Sequence, residues 1–68
     1  MNGEPVPAMQ AEKVQLGMTT DEVRLILGAP SWEAENKNVW KYLATSLSWR
    51  AYVVEFKKGV VVGKYYDD

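Results

Sequence analysis

The segment QLGMTTDEVRLILGAP, residues 15–30, contains a short helix whose start and end are both marked by the sequence. Thr19 is a good N-cap residue, and Glu22 three positions later completes a capping box, in which each side chain bonds to the backbone N–H of the other residue. Gly28 favours a left-handed end, and Pro30 prevents the helix from continuing. Because a helix of about two turns is not stable alone, it must pack against another element.

This helix is predicted from about Thr20 to Leu27, and it has one apolar stripe. Val23, Ile26 and Leu27 lie three and four positions apart, so their side chains share a face. Met18 precedes the cap and is placed to pack against Val23 as a hydrophobic staple. The helix is therefore expected to lie flat on a larger apolar surface.

Upstream of this helix, the sequence predicts a tail and a first helix. Residues 1–7, MNGEPVP, are rich in glycine and proline and lack a large apolar anchor, so we expect a flexible tail. Within residues 8–16, Ala8, Met9, Ala11 and Glu12 are good helix formers. Met9, Lys13 and Leu16 lie near one face, with Val14 beside it. We expect a helix of about two turns that ends at Gly17 in the left-handed conformation.

Three segments with alternating apolar residues follow, and they predict β-strands. They are residues 38–44, 51–57 and 60–66. Because sequential strands usually pair with their neighbours, the default is an antiparallel meander with the helices on one face. The predicted fold is a single α+β domain over residues 8–68, with two short N-terminal helices on one face of a three-stranded antiparallel sheet, in two layers.

The last two predicted strands are expected to form a hairpin, because a Lys-Gly dipeptide between them fits a two-residue turn. This turn places Phe56 opposite Val61 and Val54 opposite Gly63, which brings the apolar residues to one side of the sheet. Large aromatic residues dominate the cores of small domains, and we expect Trp40, Tyr52 and Phe56 in this core.

The composition argues against several kinds of chemistry. The chain has 68 residues with neither cysteine nor histidine, which removes disulfides, thiolate metal ligands and the usual general base near neutral pH. Asp21 and Glu22 are explained by helix capping, and the serines have no histidine to activate them. We therefore expect no enzyme activity, no metal and no cofactor. A net charge of −1 argues against a nucleic-acid partner or an anionic membrane surface.

Together, the motifs resemble the SmpA/OmlA family of small bacterial envelope lipoproteins, which have the BamE-like fold. The resemblance covers about residues 12–62. The residues that carry it are Gly17, Met18, Thr19, Glu22, Val23, Leu27, Gly28, Pro30, Trp40, Tyr42, Phe56 and Gly59.

The resemblance implies a protein that binds other proteins and does not catalyse. Known members include an accessory subunit of the outer-membrane β-barrel assembly machinery. A related helix-helix-sheet unit occurs in β-lactamase inhibitor proteins, so the alternative is a soluble inhibitor-like binding module.

The resemblance also implies a location in the periplasm or at the outer membrane. Family members usually carry a signal peptide and a lipid-modified cysteine, and this sequence has neither. Contact with the membrane is expected only through a lipid anchor that this chain lacks, and a cytoplasmic location is the alternative.

Two groups of residues are candidates for partner binding. Trp32 and Trp49 lie in predicted loops, and tryptophan is enriched where partners bind. The alternative is that both rings fold back over the sheet edge. Val53, Val60 and Val62 are predicted on the sheet face away from the helices, where an apolar patch indicates a partner or a second copy of the chain.

The small size of the chain also predicts a homodimer at high concentration. A domain of this length buries only about 60% of its unfolded surface, and it lacks disulfide and metal staples. The dimer is expected to form either through the valine face or by exchange of the helices, with residues 28–38 as the hinge.

Overall fold

The computed structural model describes residues 5–34, 38–44 and 50–67. The elements are α1 (Ala8–Ala11), α2 (Thr20–Leu27), β1 (Trp32–Ala34), β2 (Val39–Leu43), β3 (Ala51–Lys57) and β4 (Val60–Asp67). The strands form one sheet in the order β1-β2-β3-β4, and each neighbouring pair is antiparallel. The α+β prediction with two short helices is confirmed, but the sheet has four strands where the sequence predicts three.

The additional strand is β1, for which the sequence predicts a loop. It pairs with β2 through contacts such as Trp32 with Lys41 and Glu33 with Trp40. A strand of three residues is too short for alternation to be recognised. The segment predicted as a hinge between residues 28 and 38 therefore contains a paired strand.

The first helix is shorter than predicted and buries a different face. It spans Ala8–Ala11, four residues, whereas the sequence predicts helix over residues 8–16. Met9 and Leu16, expected on the buried face, are 76% and 64% exposed, whereas Ala11 and Val14 are buried. A short helix has little stability of its own, so the burial of Val14 after a turn overrides the helix propensity.

The second helix begins and ends where it is predicted. The Thr19 hydroxyl accepts from the Glu22 N–H at 3.2 Å, and the Glu22 carboxylate accepts from the Thr19 N–H at 2.9 Å. This is the predicted capping box. Gly28 ends the helix with a φ of 80°. Within the helix, the Val23 side chain is fully buried.

We expect Thr19→Ala to lower the free energy of unfolding by about 1 kcal/mol, because the Glu22 N–H loses its acceptor. Thr20→Ala is the matched control, since Thr20 is the neighbouring threonine and does not form the cap. Urea denaturation of both variants measures the difference. A loss of partner affinity in Thr19→Ala without a loss of stability would show that this segment is a binding site and not a structural cap.

The Gly-Met-Thr segment also pairs with the edge of the sheet. The Gly17 N–H donates to the Val61 carbonyl, and the Val61 N–H donates to the Met18 carbonyl, each at 2.8 Å. Thr19 forms an antiparallel bridge with Val60. The segment before α2 therefore covers the beginning of β4.

The strands β3 and β4 form the predicted hairpin. Lys58 and Gly59 have φ values of 54° and 81°. Positive φ at both central residues is typical of a type I′ turn, whose twist matches that of the strands. Phe56 pairs with Val61, as predicted.

One residue further along, a bulge changes the register of the hairpin. Val62 is an extra residue in β4, so Gly63 pairs with Glu55. The predicted pairing of Gly63 with Val54 is therefore wrong. A Cβ atom on Gly63 would lie 2.6 Å from the Glu55 carboxylate, so glycine leaves room for this side chain.

The bulge decides which sheet face each tyrosine of β4 occupies. Tyr66 pairs with Tyr52 on the helix side, where the ring centroids are 5.1 Å apart. Tyr65 pairs with Val53 and lies on the other face. Regular alternation along residues 60–66 predicts that Tyr65 shares a face with Val61 and Gly63, and for Tyr65 this is wrong because the extra residue shifts the alternation by one.

The main core lies between the helices and the sheet. Its buried residues are Ala11, Val14, Val23, Trp40, Tyr42, Tyr52, Val54, Phe56 and Val61. The three predicted aromatic core residues are therefore confirmed. Trp40 and Phe56 meet edge to face with centroids 4.7 Å apart, and the Tyr52 hydroxyl donates to the Ala11 carbonyl at 3.1 Å.

Residues 5–7 belong to the folded domain and not to the predicted tail. The Val6 N–H donates to the Leu43 carbonyl at 2.8 Å. The Val6 side chain packs, partly buried, against the core. Residues 1–4 of the predicted tail lie outside the described residues.

Candidate protein-binding surface

The sheet face away from the helices, called the open face below, carries a row of four side chains, one from each strand. Trp32 pairs with Lys41, Lys41 with Val53, and Val53 with Tyr65. Residues directly opposite each other in an antiparallel sheet point to the same face. These four residues form the row that is called the Trp32–Tyr65 row below.

The two ends of this row are accessible and its centre is closed. Trp32 is 43% exposed and Tyr65 46% exposed, whereas Val53 between them is fully buried. Three strand spacings separate the two aromatic residues, which is about 14 Å. Exposed aromatic side chains contribute large contact areas to protein interfaces. Lys41 is half-buried and adds one positive charge to the same row.

The valine patch predicted for the open face does not exist as an exposed surface. Val53 lies on an inner strand and forms a buried cluster with Val39 and Ala51. Val60 is half-buried beside the segment that covers the start of β4. Of the three predicted valines, only Val62 at the bulge is widely exposed, at 52%. The expectation of three exposed valines is therefore wrong.

The two tryptophans predicted for partner binding have different outcomes. Trp32 is partly exposed and lies on an edge strand, not in a loop. Trp49 lies outside the described residues. Lys41 and Tyr65 were not predicted as surface candidates. An isolated glycine inside a strand pattern indicates a bulge, so Gly63 was the signal that could have placed Tyr65 on the open face.

Away from the Trp32–Tyr65 row, a cleft of about 550 Å³ lies between residues 5–7, the end of α2 and Tyr42. The polar groups of its lining are used by the fold. The Tyr42 hydroxyl donates to the Gly28 carbonyl at 2.8 Å, and the Gln10 amide donates to the Ile26 carbonyl at 3.3 Å. None of the described residues that line it is charged. The cleft is therefore a weaker candidate than the open face.

The buried tyrosines act as hydrogen-bond donors. Burial raises the pKa of Tyr42 above its usual value, an effect that Arg24 opposes and Glu33 reinforces. Burial also raises the pKa of Tyr52, and Tyr66 adds to this rise. Both phenols therefore keep their protons at neutral pH and donate to backbone carbonyls.

Within residues 5–34, 38–44 and 50–67, the acidic side chains do not group in a way that could hold a metal ion. The helices among these residues are too short to cross a membrane.

Two helices on one face of a four-stranded antiparallel sheet define a small two-layer α+β domain, and its candidate site is a surface. The chain belongs to the family described as the outer membrane protein assembly factor BamE domain, which it matches over residues 3–65. This range includes both helices and the four strands as far as Tyr65. The resemblance to the SmpA/OmlA family is thereby confirmed. No curated protein is significantly similar to the chain.

Proposed function

We propose that this chain is an accessory protein of outer-membrane protein assembly, which binds another envelope protein and catalyses no reaction. The family match over residues 3–65 carries this proposal. The chemistry of the chain supports it, because its titratable groups include no histidine or cysteine to act near neutral pH. Because the matching family is one of outer-membrane assembly, we also propose that the chain acts in the periplasm, at the outer membrane.

The open face is the proposed contact surface, with Trp32 and Tyr65 as its two aromatic anchors. The opposite face of the sheet is covered by the helices and the main core, so it offers no comparable surface. Lys41 between the anchors favours a partner that presents an acidic group there. Val62 extends the accessible apolar area on β4.

Site-specific photo-crosslinking tests this proposal in cells of the source organism. A benzophenone amino acid at position 32 is expected to crosslink to a component of the outer-membrane assembly machinery. The same amino acid at position 25 is the control, because Leu25 is 88% exposed on α2, away from the open face. Equal crosslinking from both positions would contradict the open face, and a soluble enzyme as the partner would favour the inhibitor-like alternative.

Once the partner is identified, Trp32→Ala is expected to weaken binding by about thirtyfold, the effect of losing an interface anchor worth about 2 kcal/mol. Its stability is expected to change little, because Trp32 lies on an edge strand and is partly exposed. Leu25→Ala is the matched control and should keep the affinity of the wild type. Unchanged binding by Trp32→Ala would remove Trp32 from the site.

The homodimer remains a prediction. Its valine-face form has lost its basis, because Val53 is fully buried. Exchange of the helices between chains is the form that remains, and it would interconvert as slowly as the domain unfolds. Sedimentation over a wide concentration range measures the state of the protein.

A further inference from the structure

Among the described residues, the chain covers the outer edge of β4 only at its beginning. Gly17–Thr19 pairs with this edge at Val60 and Val61. Beyond the bulge, the side chains of residues 64–67 are exposed. In the part of the chain that the structure describes, no backbone group pairs with Lys64 or Tyr66 on this outer side.

The orientation of β3 shows which backbone groups of β4 point outward. The Phe56 N–H donates to the Asn38 carbonyl on the β2 side of the sheet, at 2.7 Å. The backbone N–H and C=O groups change sides with every residue of a strand. Those of Val54 and Tyr52 therefore also point towards β2.

The partners of these two residues on β4 are Lys64 and Tyr66. Neither receives a ladder bond from β3, so the backbone N–H and C=O groups of both residues point outward. They lie two positions apart, which is the spacing at which an added antiparallel strand makes its pairs of hydrogen bonds. The Lys64 side chain is engaged separately, because its ammonium group donates to the Val14 carbonyl.

A cleft of about 200 Å³ lies next to this edge. It is lined by Ala11, Glu12, Tyr52, Lys64, Tyr65 and Tyr66. Half of the lining residues are tyrosines, and the lining includes one positive and one negative side chain. Such a cleft fits one apolar side chain from a strand that lies along the edge.

We propose that the edge of β4 at residues 64–67 binds a short extended segment of a partner protein by strand addition. The Lys64 and Tyr66 backbone groups form the new ladder, and one apolar side chain of the added segment enters the adjacent cleft. In this mode of recognition, main-chain hydrogen bonds give affinity and side-chain pockets give specificity. Gly17–Thr19 already makes the same kind of contact on the same edge, and the added strand continues it. The proposal rests on the proposed function, protein binding, and adds a second contact to it.

Amide hydrogen exchange of the full chain tests this proposal with a defined probe. The probe is an acetylated and amidated hexapeptide in which threonine and leucine alternate, added up to about 1 mM. The Lys64 and Tyr66 amides are expected to exchange about tenfold more slowly with the peptide, because they become hydrogen-bonded donors. The Val54 amide is the internal control, since it already lies inside the sheet.

Two controls separate backbone pairing from side-chain contact. The same peptide methylated on alternate backbone nitrogens keeps its side chains but cannot form the ladder, and it should not bind. Lys64→Pro removes the outward N–H and should lose the peptide, whereas Leu25→Ala changes an exposed residue of α2 outside this edge and should still bind. Proline is tolerated on an edge strand at a position whose backbone N–H would point away from the sheet. The methylated peptide needs no change in the protein, so it gives the answer if Lys64→Pro does not fold.

Several results would overturn the proposal. They are an absence of protection at Lys64 and Tyr66, protection at the β1 edge in their place, and equal binding of the methylated peptide. Protection that grows with protein concentration without peptide would assign the edge to a second copy of the chain, which also contradicts it. Crosslinking from position 32 does not depend on this edge, so the proposed function stands or falls separately.

Discussion

Replacing Phe56 with alanine is expected to lower the free energy of unfolding by about 3–5 kcal/mol. The ring is 6% exposed and lies in the main core, with its centroid 4.7 Å from that of Trp40. Its removal leaves a cavity between the sheet and α2 that the short elements cannot fill. Natural domains are stable by roughly 0.05–0.15 kcal/mol per residue. For a chain of 68 residues, the expected loss is a large part of the total stability, so a large fraction of the molecules should unfold.

Thermal and urea denaturation followed by circular dichroism measure the effect of Phe56→Ala. Leu25→Ala is the control for loss of an apolar side chain, because Leu25 is 88% exposed. That variant should stay within about 0.5 kcal/mol of the wild type. A folded Phe56→Ala protein with an unchanged melting temperature would mean that Phe56 does not face the helices.

The elements that the sequence predicts well depend on local signals. The start of α2 needs only Thr19 and Glu22, which form the capping box within one turn of helix. The β3–β4 hairpin needs a dipeptide that accepts positive φ at both positions, and Lys58 and Gly59 do so. Neither feature depends on what the rest of the chain packs against, so the residue types alone were sufficient.

The elements that the sequence predicts poorly are decided by distant contacts. Helix propensity over residues 8–16 is real, but Val14 gains more by burial against the sheet than the helix gains by another turn. The strand β1 has only three residues and exists because β2 offers it an edge. Propensity and periodicity do not contain this information.

The candidate surface was only half predictable, and the reason is a single residue. Trp32 was a candidate from its residue type alone. Tyr65 was predicted on the sheet face of Val61, because regular alternation along residues 60–66 places both there, and the extra residue Val62 reverses this. An error of one position moves every later side chain of β4 to the other face, so the largest error concerned the surface and not the core.

The two proposed contacts make different physical demands on a partner. The Trp32–Tyr65 row offers aromatic side chains on a rigid sheet, so it fits a folded surface with complementary apolar area. The β4 edge offers backbone donors and acceptors, so it fits a segment that is extended and unpaired before it binds. Each has a separate test, and the loss of one contact should leave the other measurable.

Trp40 is expected to show that the shape of a core side chain matters more here than its polar group. Trp40→Ala should lower the free energy of unfolding by about 3–5 kcal/mol, the usual range for removing a buried tryptophan. The ring is 4% exposed, packs against Phe56, and has the Arg24 guanidinium 4.9 Å above its centroid.

Trp40→Phe is expected to lower the free energy of unfolding by less than Trp40→Ala does, because phenylalanine keeps an aromatic ring in the site and leaves a smaller cavity. The indole Nε1 is buried, and this donor has no hydrogen-bond partner among the described residues. Phenylalanine removes this donor, and a buried unsatisfied group is unfavourable by about 1–3 kcal/mol, which offsets part of the lost packing. Urea denaturation of both variants gives the comparison. If Trp40→Phe were as damaging as Trp40→Ala, the Nε1 donor would have to make a hydrogen bond that stabilises the fold.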